Sequence, residues 1–208
     1  MLAIRNLRHA YGDRSVLALE DWSVAQGEAC LVLGPSGSGK STLLAILSGL
    51  LAPLEGRVEV AGTEVTALKP RERDRFRARN VGLVLQRLHL IGVLGVRENL
   101  ATARRLAGLP EDAGLIDATL VALGIGHLAS RNASTLSVGE AQRVAIARAV
   151  VNRPRVILAD EPTAALDDAN CEKAIGLLME HAAACGATLV VATHDRRIAD
   201  HFTRRLEL

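Results

Sequence analysis

The sequence predicts an α/β domain with a mixed central sheet, an N-terminal β-rich lobe and an inserted α-helical subdomain. Three observations carry that reading. Largely apolar runs of strand length recur at 29–33, 81–85, 155–160 and 187–193. Stretches with helical spacing lie between them, and most of 96–151 is of this kind. Finally, the first apolar run passes through a glycine-rich loop, Gly34-Pro35-Ser36-Gly37-Ser38-Gly39-Lys40-Ser41-Thr42, directly into a helical stretch at 43–47.

In chain order, Leu2 to Leu7, Ser15 to Leu19 and Trp22 to Val24 read as short strands joined by polar turns, together forming the β-rich lobe. Ala29 to Leu33 is a buried strand. After the glycine-rich loop and its helix, Arg57 to Val60 is a further strand. Lys69 to Arg79 is a basic helix in which Arg71, Arg73, Arg75, Arg77 and Arg79 alternate with Glu72, Asp74, Phe76 and Ala78. Such a helix is either a docking patch or a solvated face, and its two acids favour the latter. Val81 to Leu85 is a buried strand ending at Gln86. The helical part from Val96 to about Val151 breaks near Gly108-Leu109-Pro110, Gly124-Ile125-Gly126 and Ser130 to Ser137. Strands return at Arg155 to Asp160 and Ala187 to Thr193, with a helix from Asp168 to Ala184 between them and a short strand at Arg204 to Leu208.

With 208 residues and 49% hydrophobic content, the chain can bury one substantial core. The expectation is one domain over 1–208, with the helical subdomain at approximately 87–152. The run free of charged residues from Ser41 to Leu54 has 14 residues. That is short of the roughly 18 to 20 that span a bilayer. A secretory signal pattern is absent from the N-terminus, and three scattered cysteines make no paired framework, so a cytoplasmic setting is expected. A net charge of +2 from 25 basic and 23 acidic residues gives no reason to expect nucleic acid as a partner.

The chemistry starts at the loop. Gly34 to Thr42 fits G-x-x-x-x-G-K-[ST], in which glycines let successive backbone N–H groups wrap a phosphate at the positive end of a helix. Lys40 is placed to reach the β- and γ-phosphates, and the Ser41 hydroxyl to bind Mg²⁺, a cation that prefers oxygen. Further on, Val156-Ile157-Leu158-Ala159-Asp160-Glu161 delivers two acids at a strand's carboxyl end. Asp160 is expected to hold Mg²⁺ through water. Glu161 is expected to orient the water that attacks the γ-phosphate, or to accept its proton.

Leu136-Ser137-Val138-Gly139-Glu140, just before a helix expected over Ala141 to Val151 and about twenty residues before that acidic pair, resembles the signature L-S-G-G-Q. With it, essentially the whole chain resembles the nucleotide-binding domain of ATP-binding cassette (ABC) transporters, a phosphate-loop NTPase fold. The resemblance implies ATP and Mg²⁺ as ligands and a dimer in which Ser137, Gly139 and Glu140 close over ATP held by the partner's loop. Two departures stand out: Val138 replaces the first signature glycine, and Glu140 the glutamine. Gln86 matches the family's Q-loop, which senses Mg²⁺ and the attacking water. His194, in Thr193-His194-Asp195, matches the switch histidine that bonds the γ-phosphate. Ala164-Ala165-Leu166-Asp167 matches the D-loop, with Asp167 linking the two sites, and Tyr11 matches the aromatic that stacks on adenine. His9, His89, His127, His181 and His201 have no such setting and read as surface or packing residues.

Within the family, Gln86 to Ile91, Val96 to Leu100 and Leu136 to Arg148 resemble ATPases of lipoprotein-release and macrolide-export systems. That group implies an integral-membrane permease partner, a homodimer with two competent sites, and a peripheral position on the cytoplasmic face of the inner membrane. An import ATPase is the alternative, set back by the lack of room after the switch histidine for the regulatory domain many importers carry. A soluble, non-transport ABC ATPase is a further alternative, but the sequence shows none of the tandem cassettes, coiled coils or zinc modules it would use.

Overall fold

The computed structural model describes residues 1–164 and 166–208, and the side chain of residue 169 lies outside the description. Strands β1 (Leu2–Tyr11), β2 (Arg14–Val24), β4 (Glu55–Val60) and β5 (Thr63–Glu64) form an antiparallel sheet in the order β2-β1-β4-β5. A second sheet, wholly parallel, has the order β6-β7-β8-β3-β9, built from β3 (Ala29–Leu33), β6 (Val81–Val84), β7 (Val156–Asp160), β8 (Thr188–Thr193) and β9 (Arg204–Glu207). The mixture of strand directions is thus divided between two sheets.

β3, β6, β7 and β8 are largely buried, which is why they read as continuous apolar runs, whereas the edge strand β9 is mostly exposed. Alternation then assigns each residue to a side. Leu31, Ile157, Ala159, Leu189 and Val191 join the core shared with the helical segment and α6 (Asp168–Cys185). Cys30, Val32, Leu158, Val190 and Ala192 join the core shared with the antiparallel lobe and α1 (Lys40–Leu47).

Two expectations are corrected at the ends of elements. The segments 15–19 and 22–24 are one strand, β2, rather than two. Glu20 and Asp21 are exposed residues along it, and Asp21 pairs in register with Arg5. The helix expected from Ala141 begins at Val138, because Ser137 caps it. This is α5 (Val138–Val150). It follows α3 (Val96–Leu106) and α4 (Ala113–Ala122), and α6 (Asp168–Cys185) separates β7 from β8.

The basic helix α2 (Pro70–Asn80) buries none of its residues, yet its arginines serve the fold. Arg77 donates to Gly49 O at 3.4 Å and to Asp74 at 2.7 Å, and Arg79 Nε donates to Ala107 O at 2.9 Å.

Candidate nucleotide-binding and hydrolytic site

Adjacent strands place the loop, the acidic pair and the histidine together. The loop follows β3, Glu161 follows β7 and His194 follows β8, and in the sheet these strands run β7-β8-β3, so their carboxyl ends share one edge. Gln86 comes from the next strand out, two residues past the end of β6. The resulting cleft, of about 350 Å³, is lined by Tyr11, Arg14, Val16, Ser36, Gly37, Gly39, Lys40, Ser41, Thr42, Gln86, Glu161 and His194.

The loop's shape depends on glycine at two positions. Gly39, just before α1, has φ +103°, and a Cβ there would lie 2.8 Å from both Leu17 Cδ2 and Val16 O. At Gly34 a Cβ would meet Ser38 Oγ at 2.5 Å and Leu208 O at 2.7 Å. Lys40 is buried, and its ammonium donates to Gly34 O at 2.8 Å and Pro35 O at 3.0 Å. Its third neighbour is Glu161 Oε1, 3.6 Å away.

Glu161 occupies the left-handed region, with φ +47°, and its N–H donates to Ala192 O at 2.8 Å. That turn aims its carboxylate at the end of β8. Thr193 Oγ1 donates to Oε2 at 2.7 Å, His194 N–H donates to Oε1 at 3.2 Å, and His194 Nδ1 lies 2.8 Å from Oε1. Burial works against the charge of Glu161. The hydrogen bonds from His194 and Thr193, with the electrostatic attraction of His194 and Lys40, outweigh it and hold the carboxyl below its ordinary value. Asp160 is shifted the other way. Burial pushes its pKa up, the hydrogen bond with Ser41 opposes this, and the charge of Glu161 adds to the rise. Asp160 Oδ1 is buried with no protein partner.

At the start of α5, Ser137 and Glu140 bond reciprocally. The Ser137 N–H and Oγ each approach Glu140 Oε2 at 2.8 Å, and the Glu140 N–H donates to Ser137 Oγ at 3.4 Å. Arg131 Nη1 lies 3.4 Å from Glu140 Oε1. Val138 is 60% exposed, and a Cβ on Gly139 would meet nothing within 4 Å, so this turn presents an open surface.

The loop, the acidic strand and the capped segment between them are what the family model described as "ABC transporter" covers, matching residues 19–164. The chain belongs to the ABC transporter family. The chain is similar to the lipoprotein-releasing system ATP-binding protein LolD of Nitratidesulfovibrio vulgaris, with 40% identity over 90% of this chain and 82% of that protein. It is also similar to the macrolide export ATP-binding/permease protein MacB 1 of Aeromonas hydrophila, with 42% identity over 100% of this chain but only 33% of that protein's length. Among solved structures, a dimeric post-hydrolysis state of the ATP-binding cassette MJ0796 bound to ADP and Pi superposes with TM-score 0.90 and 33% identity, covering 100% of this chain and 94% of that one. The chain is an ABC ATPase cassette of the lipoprotein-release and macrolide-export group.

Within this cassette the residues expected at the site divide into two sets. From the loop Ser36, Gly37, Gly39, Lys40, Ser41 and Thr42 line the cleft with Tyr11, Gln86, Glu161 and His194, whereas Gly34, Pro35, Ser38 and Asp160 do not; the carbonyls of Gly34 and Pro35 accept from Lys40. Ser137, Gly139, Glu140 and Asp167 are absent from the cleft lining. Of the segment 164–167, Ala165 lies outside the described residues, and Asp167 caps α6 by accepting from the Asn170 N–H at 2.9 Å. Tyr11 is 56% exposed, and the buried His9 meets it edge-on, with ring centroids 4.9 Å apart. Arg14 and Val16 line the cleft without having been singled out from the sequence. They lie on β2, next to Tyr11, and only the sheet register brings that strand over the loop.

Proposed function

We propose that this chain is the ATP-hydrolysing subunit of a membrane transport system of the lipoprotein-release or macrolide-export kind, acting as a homodimer against a permease. One observation carries the reading: a single chain gathers the phosphate loop, Glu161 and His194 in one cleft while its signature turn faces elsewhere. A second copy supplies the missing wall. Ser137 Oγ and the N–H groups of Val138 and Gly139, at a helix N-terminus, then meet the terminal phosphate held by the partner's loop. ATP becomes part of the interface, so binding favours the closed dimer and hydrolysis releases it.

Within the cleft, Tyr11 stacks on the base, the loop from Gly34 to Thr42 wraps the phosphates and Lys40 takes their charge. Glu161 accepts the proton of the attacking water, with its lowered pKa keeping it ionised. His194 and Gln86 border the same space. The residues also fit Mg²⁺. Among the described residues there is no group of three or more His, Cys, Asp or Glu side chains able to cage a metal. The Ser41 hydroxyl and the buried, unpartnered Asp160 Oδ1 instead form a sparse oxygen set of the kind Mg²⁺ takes, with the nucleotide's own oxygens completing it. When bound, the ion would neutralise charge on the phosphates, held by Ser41, Asp160 and Gln86.

The domain spans 1–208 with its helical part at about 87–152. Among the described residues no helix is long and apolar enough to cross a membrane. On the proposed reading the permease is a separate polypeptide or segment, and the cassette sits on its cytoplasmic face. A groove of about 610 Å³ beside β6, bordered by His89, Ile91, Leu106 and Arg148, suits a helical segment of that permease. Arg148, on α5, donates to the carbonyls of His89 and Leu88 at 2.6 Å each, tying the groove's rim to the helix that begins at the signature. The test is copurification and phosphate release. A polytopic membrane protein should accompany the chain, and the complex should release phosphate from ATP in a Mg²⁺-dependent manner that Glu161→Gln abolishes. Ribosomes or DNA in its place would refute the transport reading.

A further inference from the structure

Behind the switch histidine, a guanidinium outside the cleft ties two carboxylates together. Arg197 lies in the short 3-10 helix Arg196–His201 that follows β8. Its Nε lies 2.9 Å from Asp195 Oδ1 and 3.0 Å from Oδ2, its Nη2 reaches Oδ2 at 2.6 Å, and its backbone N–H donates to Oδ1 at 3.0 Å. The remaining fork nitrogen, Nη1, pairs with Asp168, the first residue of α6. Asp195 is also approached from the acidic turn, by Thr163 Oγ1 at 3.3 Å. The Asp195 side chain is 11% exposed, whereas that of Asp168 is 88% exposed.

The consequence for chemistry runs through Thr193. The Asp195 N–H donates to Thr193 Oγ1 at 3.0 Å, and Thr193 Oγ1 donates to Glu161 Oε2 at 2.7 Å. A hydroxyl has one proton. With its acceptor side engaged by the Asp195 N–H, that proton is directed at Glu161. The turn 193–195 therefore sets the orientation of the hydrolytic carboxylate. Arg197 fastens that turn to the start of α6, beside a longer contact of Cys171 Sγ with Asp195 Oδ2 at 4.0 Å and the His201–Glu172 pair at 2.8 Å.

We infer that Arg197 is a positioning residue for hydrolysis: it clamps Asp195 to the first turn of α6, so that the Thr193 hydroxyl stays aimed at Glu161. An ion pair with so exposed an acid as Asp168 adds little stability. The contribution is geometric, and it rests on the reading of Glu161 as proton acceptor.

The test uses steady-state ATP hydrolysis by the copurified complex. Arg197→Gln is expected to lower kcat about tenfold while KM for ATP stays within about twofold, as for a group that affects only the transition state. Arg197→Lys, which can pair with Asp195 but not fork, should recover part of the loss. Arg196→Gln, which removes the same charge one residue away, should remain within about twofold of the parent. In the double variant Arg197→Gln/Thr193→Val, the loss should not exceed that of Thr193→Val alone by more than about twofold, because both act on one hydroxyl. Losses that multiply, or an unchanged kcat in Arg197→Gln, would overturn the inference. Should Thr193→Val fail to fold, the kcat–KM split of Arg197→Gln and its rescue by lysine decide. Glu161→Gln separates the two levels: if it hydrolyses ATP within about tenfold of the parent, the reading of Glu161 fails, whereas if it loses about 100-fold or more and Arg197→Gln is normal, only the clamp fails.

Discussion

Lys40 Nζ and Glu161 Oε1 lie 3.6 Å apart, with the two side chains 6% and 9% exposed, so the loop's cation and the carboxylate after β7 share one enclosed space. Two of the ammonium's three protons go to Gly34 O and Pro35 O. The third side is where Glu161 and an arriving terminal phosphate both compete for charge. On the proposed reading, a phosphate that draws Lys40 toward itself leaves Glu161 with Thr193 and His194, oriented to accept a proton.

Glu161→Gln should therefore separate binding from hydrolysis. Phosphate release is expected to fall by about 100-fold or more, the size of a lost general base. ATP affinity should hold or rise, since a neutral amide competes less for Lys40. Single-turnover phosphate release and equilibrium nucleotide titration on the same preparation check both halves.

Tyr11 presents an exposed ring at the mouth of the cleft, with His9 packed against it edge-on. Aromatic stacking of about 0.5–1.5 kcal/mol corresponds to roughly two- to tenfold in affinity. Tyr11→Ala should weaken nucleotide binding by that factor and leave kcat at saturation within about twofold. Titration calorimetry reads the first effect, and an unchanged Kd would count against stacking.

Much of this arrangement is legible in sequence because it is local. A strand, a glycine-rich turn and a helix follow one another from Ala29 to Leu47, and Asp160-Glu161 sits at the end of a purely apolar run, so local pattern alone places both. What escapes notice depends on tertiary register. Arg14 and Val16 reach the cleft only because β2 passes over the loop, and Arg197 meets Asp168 across 29 positions of sequence. The continuity of β2 is hidden because Glu20 and Asp21 look like a turn, while cross-strand pairing with β1 carries them through. The start of α5 at Val138 is legible as S-x-x-E, the capping box that Ser137 and Glu140 form, although the same residues also fall in the signature, where Glu140 stands in place of glutamine.

Gly39→Ala should disable the loop. Its φ of +103° and the 2.8 Å approach to Leu17 and Val16 leave no place for a methyl group. Strain of about 1–3 kcal/mol is expected, seen as a lowered Tm together with loss of nucleotide binding. Differential scanning calorimetry with and without ATP distinguishes this from simple unfolding, because the variant should lose the stabilisation that ATP gives the parent.

Glu140 gives α5 a pH dependence. Hydrogen bonds from the Ser137 backbone and hydroxyl hold its carboxyl below the ordinary value of 4.5, with burial opposing weakly and Arg131 and His127 assisting. A carboxyl with a lowered folded pKa contributes stability that is fully present above its unfolded pKa and is lost as pH falls through the folded one. The contribution should therefore fade on acidification below about pH 4.5. Glu140→Gln keeps an acceptor for the cap but removes the ionisation, so the difference in Tm between parent and variant should shrink as pH falls through that range. The same variant removes a negative charge from the turn that is to meet the partner's phosphate, and ATP-driven dimerisation should tighten. Thermal melts from pH 6 to 3 and sedimentation at pH 7 with ATP check the two effects.

In the proposed dimer the terminal phosphate is enclosed by two chains, each supplying half of the pocket. Sedimentation velocity of Glu161→Gln with Mg²⁺ and ATP tests it most directly, run beside the double variant Glu161→Gln/Ser137→Arg. The first should be a dimer and the second a monomer that still binds nucleotide, more weakly by the share of affinity that dimerisation contributes. A Glu161→Gln protein that binds ATP yet stays monomeric, or a dimer indifferent to the change at Ser137, would contradict it.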